Sequence, residues 1–367
     1  MARILYVDPL HPERTPDPIR EAAELIQSGT LVAFPTETVY GLGANAYDMA
    51  AVGRIFAAKK RPTSDPVIVH VAALEQVDQV AVSVSPVAQQ LMNAFWPGAL
   101  TLILPRGERI PPNVSAGLPS VGVRMPAHPV ALALIRAAGV PIAAPSANLF
   151  SHTSPTSAHH VRRDLGDSIP LILDGGTAAI GVESTILDLT GEHPQLLRPG
   201  GVPLEAIQRI IPEVRIEVVE RYAAADQEAL PAPGMMLRHY APRASLHLYE
   251  GPDRAVRSSI AATLDRLRLE KPQARIGLLL ADEDLPALGH YTHDSQIIIL
   301  ALGSLHDLSE AARRLYAALH DFDEQHVDLI LARSFPAVGI GAALRDRLTR
   351  AAEGKVVQVQ ESSSHHE

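Results

Sequence analysis

Residues 59 to 70, KKRPTSDPVIVH, place Lys59, Lys60 and Arg61 side by side in a chain that has four lysines in all. Arginine offers a planar fork to phosphate oxygens and lysine a compact point charge, so together they suit a triphosphate. Pro62 and Pro66 hold the segment in a restricted, extended path. Cations also favour the C-terminal end of a helix, where they oppose its dipole, and the local sequence leaves both roles open. His70 closes the apolar run VIVH. An imidazole there is either satisfied within a core or lines a pocket, where it can bind a carboxylate or hydroxyl.

Other stretches repeat the theme of hydroxyls and isolated arginines at strand ends. FPTETVYGLGANA, from Phe34 to Ala46, follows an apolar run and sets Thr36, Glu37 and Thr38 behind a proline. It reads as a tight turn whose threonines satisfy local backbone groups, or as a set of donors to a small polar ligand. SVGVR ends on Arg124, and PIAAPSANLFSHTSPTS gathers Ser146, Asn148, Ser151, Thr153, Ser154 and Thr156 in one loop. Such a loop hydrogen-bonds a nucleotide or is simply solvated. GVESTILDL contributes Ser184 and Thr185, and LLRPGG sets Arg198 before a Pro-Gly-Gly turn. No Ser-His-Asp order stands out, and the pattern suits holding anions better than covalent catalysis. His152, His159 and His160 lack the partners and helical spacing of a zinc site.

These residues need a frame of alternating elements. Over the first 210 residues the pattern predicts helices at 18–27, 50–59 and 86–95 and strands at 30–34, 67–71, 99–104, 121–124, 142–144, 171–174 and 184–189. That is a mixed α/β domain. From about Glu213 the stretch RYAAADQEALPAPGMMLRHYAPR has linker composition, with a dense Met-Met-Leu-Arg-His-Tyr cluster unlike an inert spacer. After Ala244 apolar runs alternate with helical stretches again, which predicts a parallel sheet covered on both faces. The expected division is a catalytic domain over 1–212, a linker over 213–243, a second domain over 244–353 and a tail over 354–367. GIGAALRDRL, near Gly339, is the closest approach to a glycine-rich phosphate turn in the second domain; its glycines otherwise cap or pack a helix.

The composition narrows the classes. At 367 residues and 47% hydrophobic content the chain can bury two cores. Its 32 basic and 41 acidic residues give a formal charge of −9, which argues against a broad nucleic-acid face but leaves room for a local cationic cleft. The absence of cysteine excludes disulfides, thiolate zinc sites and a cysteine nucleophile. With no apolar stretch of spanning length and no signal-peptide core, the sequence reads as a soluble, cytoplasmic protein without a membrane partner. The polar end, ESSSHHE, reads as a disordered tail.

Taken in order, FPTETVYGLGANA, KKRPTSDPVIVHV, FWPGALTLIL, SVGVRMPAHP, PIAAPSANLFSHTSPTS, DGG, GVESTILDL, LLRPGG and PAPGMMLRHYAP resemble the Sua5/YrdC/YciO family in its two-domain form. The blocks span residues 30 to about 243, and their ordered series is far more specific than any one of them. The resemblance implies a twisted mixed α/β sheet domain with a concave pocket, joined by a linker that reaches over the active site to a smaller Rossmann-like α/β domain. The implied reaction makes threonylcarbamoyl-AMP and pyrophosphate from ATP, L-threonine and bicarbonate, with Mg²⁺. Its product feeds threonylcarbamoylation of adenosine 37 in tRNA, the transfer being made by other proteins.

Carried over by position, the resemblance implies a threonine pocket of Thr38, His70, Arg124, the backbone at Ala144, and Ser184. On the ATP side it implies Lys59, Arg61, Asp65, Ser120, Ser146, Asn148, Ser154 and Arg198, with Lys59 and Arg61 catalytic. Tyr240 and His239 would close over the nucleotide from the linker. Asp65 departs from the pattern, because the family often has asparagine there. The protein ligands of Mg²⁺ are not indicated. The related carbamoyltransferases of hydrogenase maturation carry zinc-finger cysteines that this chain lacks. A double-stranded-RNA-binding or regulatory module is the alternative of a different class; the acidic balance speaks against strong nonspecific binding.

Overall fold

The computed structural model describes residues 1–213, 215, 229–234 and 240–360. The chain divides into two compact units, Met1–Phe150 with Ser154–Met236, and Ser151–Thr153 with Leu237–Glu367. His239 and the terminal ESSSHHE lie outside the described residues. No described helix is long and apolar enough to cross a membrane.

The first unit holds strands β1 (Arg3–Tyr6), β2 (Val32–Phe34), β3 (Gly41–Asn45), β4 (Val69–His70), β5 (Leu100–Pro105), β6 (Ser120–Arg124), β7 (Ile142–Ala143), β8 (Leu171–Asp174), β9 (Thr185–Asp188) and β10 (Gln195–Arg198). They form one mixed sheet in the order β1-β8-β2-β3-β7-β4-β6-β5-β9-β10. Its helices are α1 (Pro16–Gln27), α2 (Met49–Lys59), α3 (Pro86–Phe95), α4 (Pro129–Ala138), α5 (Ala158–Leu165) and α6 (Leu204–Ile210).

Side chains alternate across the sheet, as a strand requires. Val32, Phe34, Leu171 and Leu173 meet Ile19 and Ile26 of α1 and Leu134 of α4. Ala33 and Ile172, one position out of phase, meet Ile55 of α2 and Val161 of α5. Towards β10 one face packs Val69, Leu102 and Val123 against Phe56, Leu91 and Met92. The other face carries Ile68, Ile103, Ile186 and Leu197, covered by Leu230 and Ala232 from the linker.

Two expectations change. The strand expected over 67–71 shrinks to β4, because the N–H of Val67 leaves the ladder for the carbonyl of Val114. The segment read as a turn after Phe34 returns at once as β3, antiparallel to β2. Glycine makes that return fit: a Cβ on Gly43 would stand 2.8 Å from the Phe34 ring and 2.9 Å from Ile142. Strands β1, β3 and β10 and helices α4, α5 and α6 were not anticipated. The three strands are short or carry glycine and polar residues, and pairing across the sheet supplies what their local pattern lacks.

The second unit orders β11 (Ser245–Glu250), β12 (Ile276–Leu280), β13 (Ile297–Ala301), β14 (Leu329–Arg333) and β15 (Val356–Gln358) as β13-β12-β14-β11-β15. Every pair in it is parallel. Helix α7 (Asp253–Glu270) supplies Val256, Ile260 and Leu264 to one face. After the short α8 (Leu285–Leu288), helices α9 (Leu308–Glu324) and α10 (Gly341–Ala351) bury Leu315, Phe322, Leu344 and Leu348. Strand β15 lies within the stretch expected to be tail, held by pairing with β11. In GIGAALRDRL, a Cβ on Gly341 would fall 2.0 Å from the Pro336 carbonyl oxygen. That glycine serves close packing at the start of α10.

Gly43→Ala should overpack the Phe34 and Ile142 contact and lower unfolding free energy by about 1–3 kcal/mol, read as a lower melting temperature.

Candidate active site

Alternation along the short strands brings the polar residues to one face. His70 stands two residues from Ile68, Arg124 two from Gly122, and Ser184 two from Ile186, so each shares the face of the apolar residues under the linker. Gly122 leaves room on that face, since an added Cβ would meet Thr101 Cγ2 at 3.3 Å and Ile68 at 3.5 Å. A narrow cavity remains there, lined by Pro66, Ile68, Ile103, Ser120, Gly122 and Pro233.

Arg124 is 4% exposed. Its Nε donates to the carbonyl of Gly98 at 3.1 Å, Nη1 to Thr38 Oγ1 at 2.9 Å, and Nη2 to Glu37 Oε1. The turn residues divide the two roles that the sequence left open. Thr36 serves the turn, donating to the Val39 carbonyl and accepting from the Thr38 and Val39 amides. Thr38 turns its hydroxyl to Arg124.

His70 pairs with Arg124 across β4 and β6. Its Nδ1 is buried and finds no hydrogen-bond partner among the described residues. Burial, and then the charge of Arg124, lowers its pKa to about 3, so the ring is neutral at pH 7. Ser184 shares a 2.7 Å hydrogen bond with Thr101, and its carbonyl accepts from Nε and Nη2 of Arg198 at 3.2 and 2.9 Å. The N–H of Ala144 is committed to the carbonyl of Ile68 at 2.8 Å.

The second group of cations is equally buried. Asp48 caps helix α2, its Oδ1 accepting from the amides of Ala50 and Ala51. It ends where Lys60 takes a left-handed conformation, φ 53°. That reversal leaves Lys60 exposed and turns Lys59 and Arg61 inward. Lys59 Nζ donates to the carbonyls of Ser146, at 2.6 Å, and Asn148, and reaches Asn148 Oδ1 at 3.5 Å. Burial, followed by the charge of Arg61, holds its pKa well below the usual lysine value.

Arg61 donates to the carbonyls of Asp65 and Pro66 at 3.1 and 2.7 Å, and its Nη2 lies 2.9 Å from Asp65 Oδ1. That last contact is an ion pair whose angle falls short of a hydrogen bond. Asp65 has no exposed surface. Burial raises its pKa, and the charges of Arg61, Lys59 and Arg198 oppose the rise. Arg61 thus contacts the carboxylate, and Lys59 and Arg198 act on it from further away. Arg198 is also tied to the linker, its Nη1 donating to the Pro233 carbonyl at 3.1 Å.

The first unit thus gathers Thr38, His70, Arg124, Ala144 and Ser184, together with Lys59, Arg61, Asp65, Ser120, Ser146, Asn148, Ser154 and Arg198. Tyr240 belongs to the second unit, stacked on Tyr316 at 5.9 Å with the Arg347 guanidinium 4.8 Å from its ring centre. Three residues escaped assignment from sequence: Glu37 on Arg124, Thr101 on Ser184, and Glu183, whose Oε1 accepts from Ser154 Oγ at 2.6 Å. Glu37 and Glu183 stand inside blocks already singled out, TETV and GVEST, and only burial reveals what their carboxylates hold.

Strand-end hydroxyls and buried cations on a mixed α/β sheet make an arrangement chemically suited to small anions. Residues 24–200 match the Sua5/YciO/YrdC family model, described as telomere recombination. Residues 202–353 match the model described as the C-terminal domain of threonylcarbamoyl-AMP synthase. The threonylcarbamoyl-AMP synthase of Pyrococcus abyssi is 45% identical over 341 residues, covering 93% of this chain and 96% of that protein. That of Bacillus subtilis is 44% identical over 356 residues, covering 96% and 98%. The crystal structure of P. abyssi Sua5 complexed with L-threonine superposes with a TM-score of 0.89 at 43% identity, over 98% of this chain and all of that one. The chain belongs to the Sua5/YciO/YrdC family.

Burial of neutral imidazoles has a signed consequence for stability. The native pKa values of His70 and His160 are lowered from 6.5 to about 3 and about 4. Below pH 6.5 the unfolded chain binds protons that the native state refuses, so stability falls with pH through that window. Between pH 7 and pH 5, His70→Gln should lose about 2 kcal/mol less unfolding free energy than the parent, measured by denaturant titration.

Proposed function

We propose that the protein is an L-threonylcarbamoyladenylate synthase, a nucleotidyltransferase that makes threonylcarbamoyl-AMP and pyrophosphate from MgATP, L-threonine and bicarbonate. The observation that carries this reading is the presence of two clusters of buried cations in the first unit. In one, Arg124 stands beside the unpartnered Nδ1 of His70. In the other, Arg61 pairs with Asp65 at 2.9 Å, and Lys59 and Arg198 act on the same carboxylate. The first suits an amino acid carrying a carboxylate and a hydroxyl, the second a polyphosphate. The near-full-length relatives named for this activity support the reading.

The chemistry asks for placement. The amine of threonine combines with bicarbonate, with loss of water, to give a carbamate. A carbamate oxygen then forms a bond to the α-phosphorus as the bond to pyrophosphate breaks, and pyrophosphate leaves with the electron pair. Both reactants are anionic, so the protein contributes alignment and neutralisation of charge. Arg61 and Arg198 supply charge to the phosphates. Lys59 adds to that field and fixes the loop that carries Ser146 and Asn148. Arg124 and His70 hold threonine by its carboxylate and hydroxyl, with Thr38, Ser184 and the backbone at Ala144 around them.

Magnesium enters as part of the nucleotide. Among the described residues no group of three or more His, Asp or Glu stands together, and Mg²⁺ would be held chiefly by the nucleotide phosphates and water. The adenylate formed in the cytoplasm would then be consumed by separate proteins that transfer threonylcarbamoyl to adenosine 37 of tRNA.

Arg61→Ala should abolish pyrophosphate release that depends on threonine and bicarbonate, measured by a coupled phosphate assay. Turnover near that of the parent would overturn the assignment.

A further inference from the structure

Glu37 is a buried charge beside Arg124 for which the reading above supplies no role. It is 8% exposed, with one oxygen on Arg124 Nη2 and the other accepting from the Ala127 amide at 3.0 Å. Its backbone carbonyl is also tied down, accepting from Ile180 N at 2.7 Å. The carboxylate is therefore fixed from both ends.

A guanidinium carries five N–H donors in one plane. Gly98, Thr38 and Glu37 each take one, from Nε, Nη1 and Nη2 respectively. Three partners around the group fix its plane, and one N–H on each terminal nitrogen remains. That is the number a bidentate carboxylate uses.

Charge adds a second constraint. His70 and His128 both have pKa values lowered by burial, so at pH 7 both rings are neutral. Arg124 and Glu37 then sum to zero. A neutral pocket is matched by a ligand of no net charge that carries its own opposite charges, as an amino acid zwitterion does. An anion lacking the amine would leave one charge in excess.

We infer that Glu37 is a positioning residue: it orients Arg124 for the ligand carboxylate and balances its charge, so that the pocket selects a zwitterionic amino acid over a simple hydroxy acid. The inference rests on the reading of Arg124 as the carboxylate partner of threonine. It assigns no chemistry to Glu37 itself, which acts through Arg124.

The test is calorimetric titration of the full chain with L-threonine, with 3-hydroxybutanoate, which lacks the amine, and with ATP. Glu37→Gln should weaken threonine binding at least ~10-fold and narrow the preference for threonine over 3-hydroxybutanoate by a similar factor. ATP affinity should stay near that of the parent, while the melting temperature falls, because a buried ion pair is broken. Unchanged threonine affinity and selectivity would overturn the inference. So would a loss of ATP binding equal to the loss of threonine binding, which marks a merely structural carboxylate. Should Glu37→Gln fail to fold, Glu37→Asp keeps the charge and withdraws its reach, and the same three titrations decide. Arg124→Lys separates the premise from the inference: threonine binding unchanged in that variant defeats the reading of Arg124. Weakened binding there, with Glu37→Gln unaffected, defeats only the role given to Glu37.

Discussion

Buried positive charge is the constraint around which the first unit is organised. Lys59, Arg61, Arg124 and Arg198 are all at most 6% exposed. A cation so withdrawn from water is tolerable only where oxygens surround it. The fold supplies them from a few short segments: carbonyls of Ser146 and Asn148, of Asp65 and Pro66, of Gly98, and of Ser184 and Pro233. Carboxylates complete the set, Asp65 among three cations and Glu37 beside Arg124. The segments to which the proposed function assigns substrate binding are thus the ones these side chains tie together.

This accounts for Asp65, whose carboxylate is unexpected near a triphosphate. Its carboxylate lies 2.9 Å from Arg61 Nη2, and the charges of Arg61, Lys59 and Arg198 oppose the rise that burial imposes on its pKa. Removing Asp65 would leave Arg61 without its ionic partner in a buried place, a change typically far more costly than an exposed ion pair is worth.

Much of the frame was legible because its strands are apolar runs of ordinary length. The run LTLILP became β5 and LILD became β8 almost as their patterns suggest. The parallel sheet of the second unit followed from its near-continuous apolar strands. What escaped depends on pairing at a distance. Gly41–Asn45 looks like a turn because its glycines lower strand propensity, yet those glycines let Phe34 lie against it. The cation cluster could be seen in KKRP, but which lysine turns inward is decided by the backbone reversal at Lys60, and sequence pattern carries no φ angle. Glu37 and Glu183 were hidden for a further reason: burial of a carboxylate is a property of what surrounds it, here Arg124 and Ser154, which lie 87 and 29 residues away in the chain.

The central claim is that the two pockets act together, one presenting threonine as its carbamate and the other presenting the α-phosphorus. The most direct measurement is mass analysis of the product made from ATP, Mg²⁺, L-threonine and ¹³C-bicarbonate. The account predicts an adenylate heavier by one mass unit than that formed with unlabelled bicarbonate, appearing together with pyrophosphate and absent when threonine is omitted. Nucleotide hydrolysis without a labelled adenylate, or an adenylate that carries no label, would contradict it.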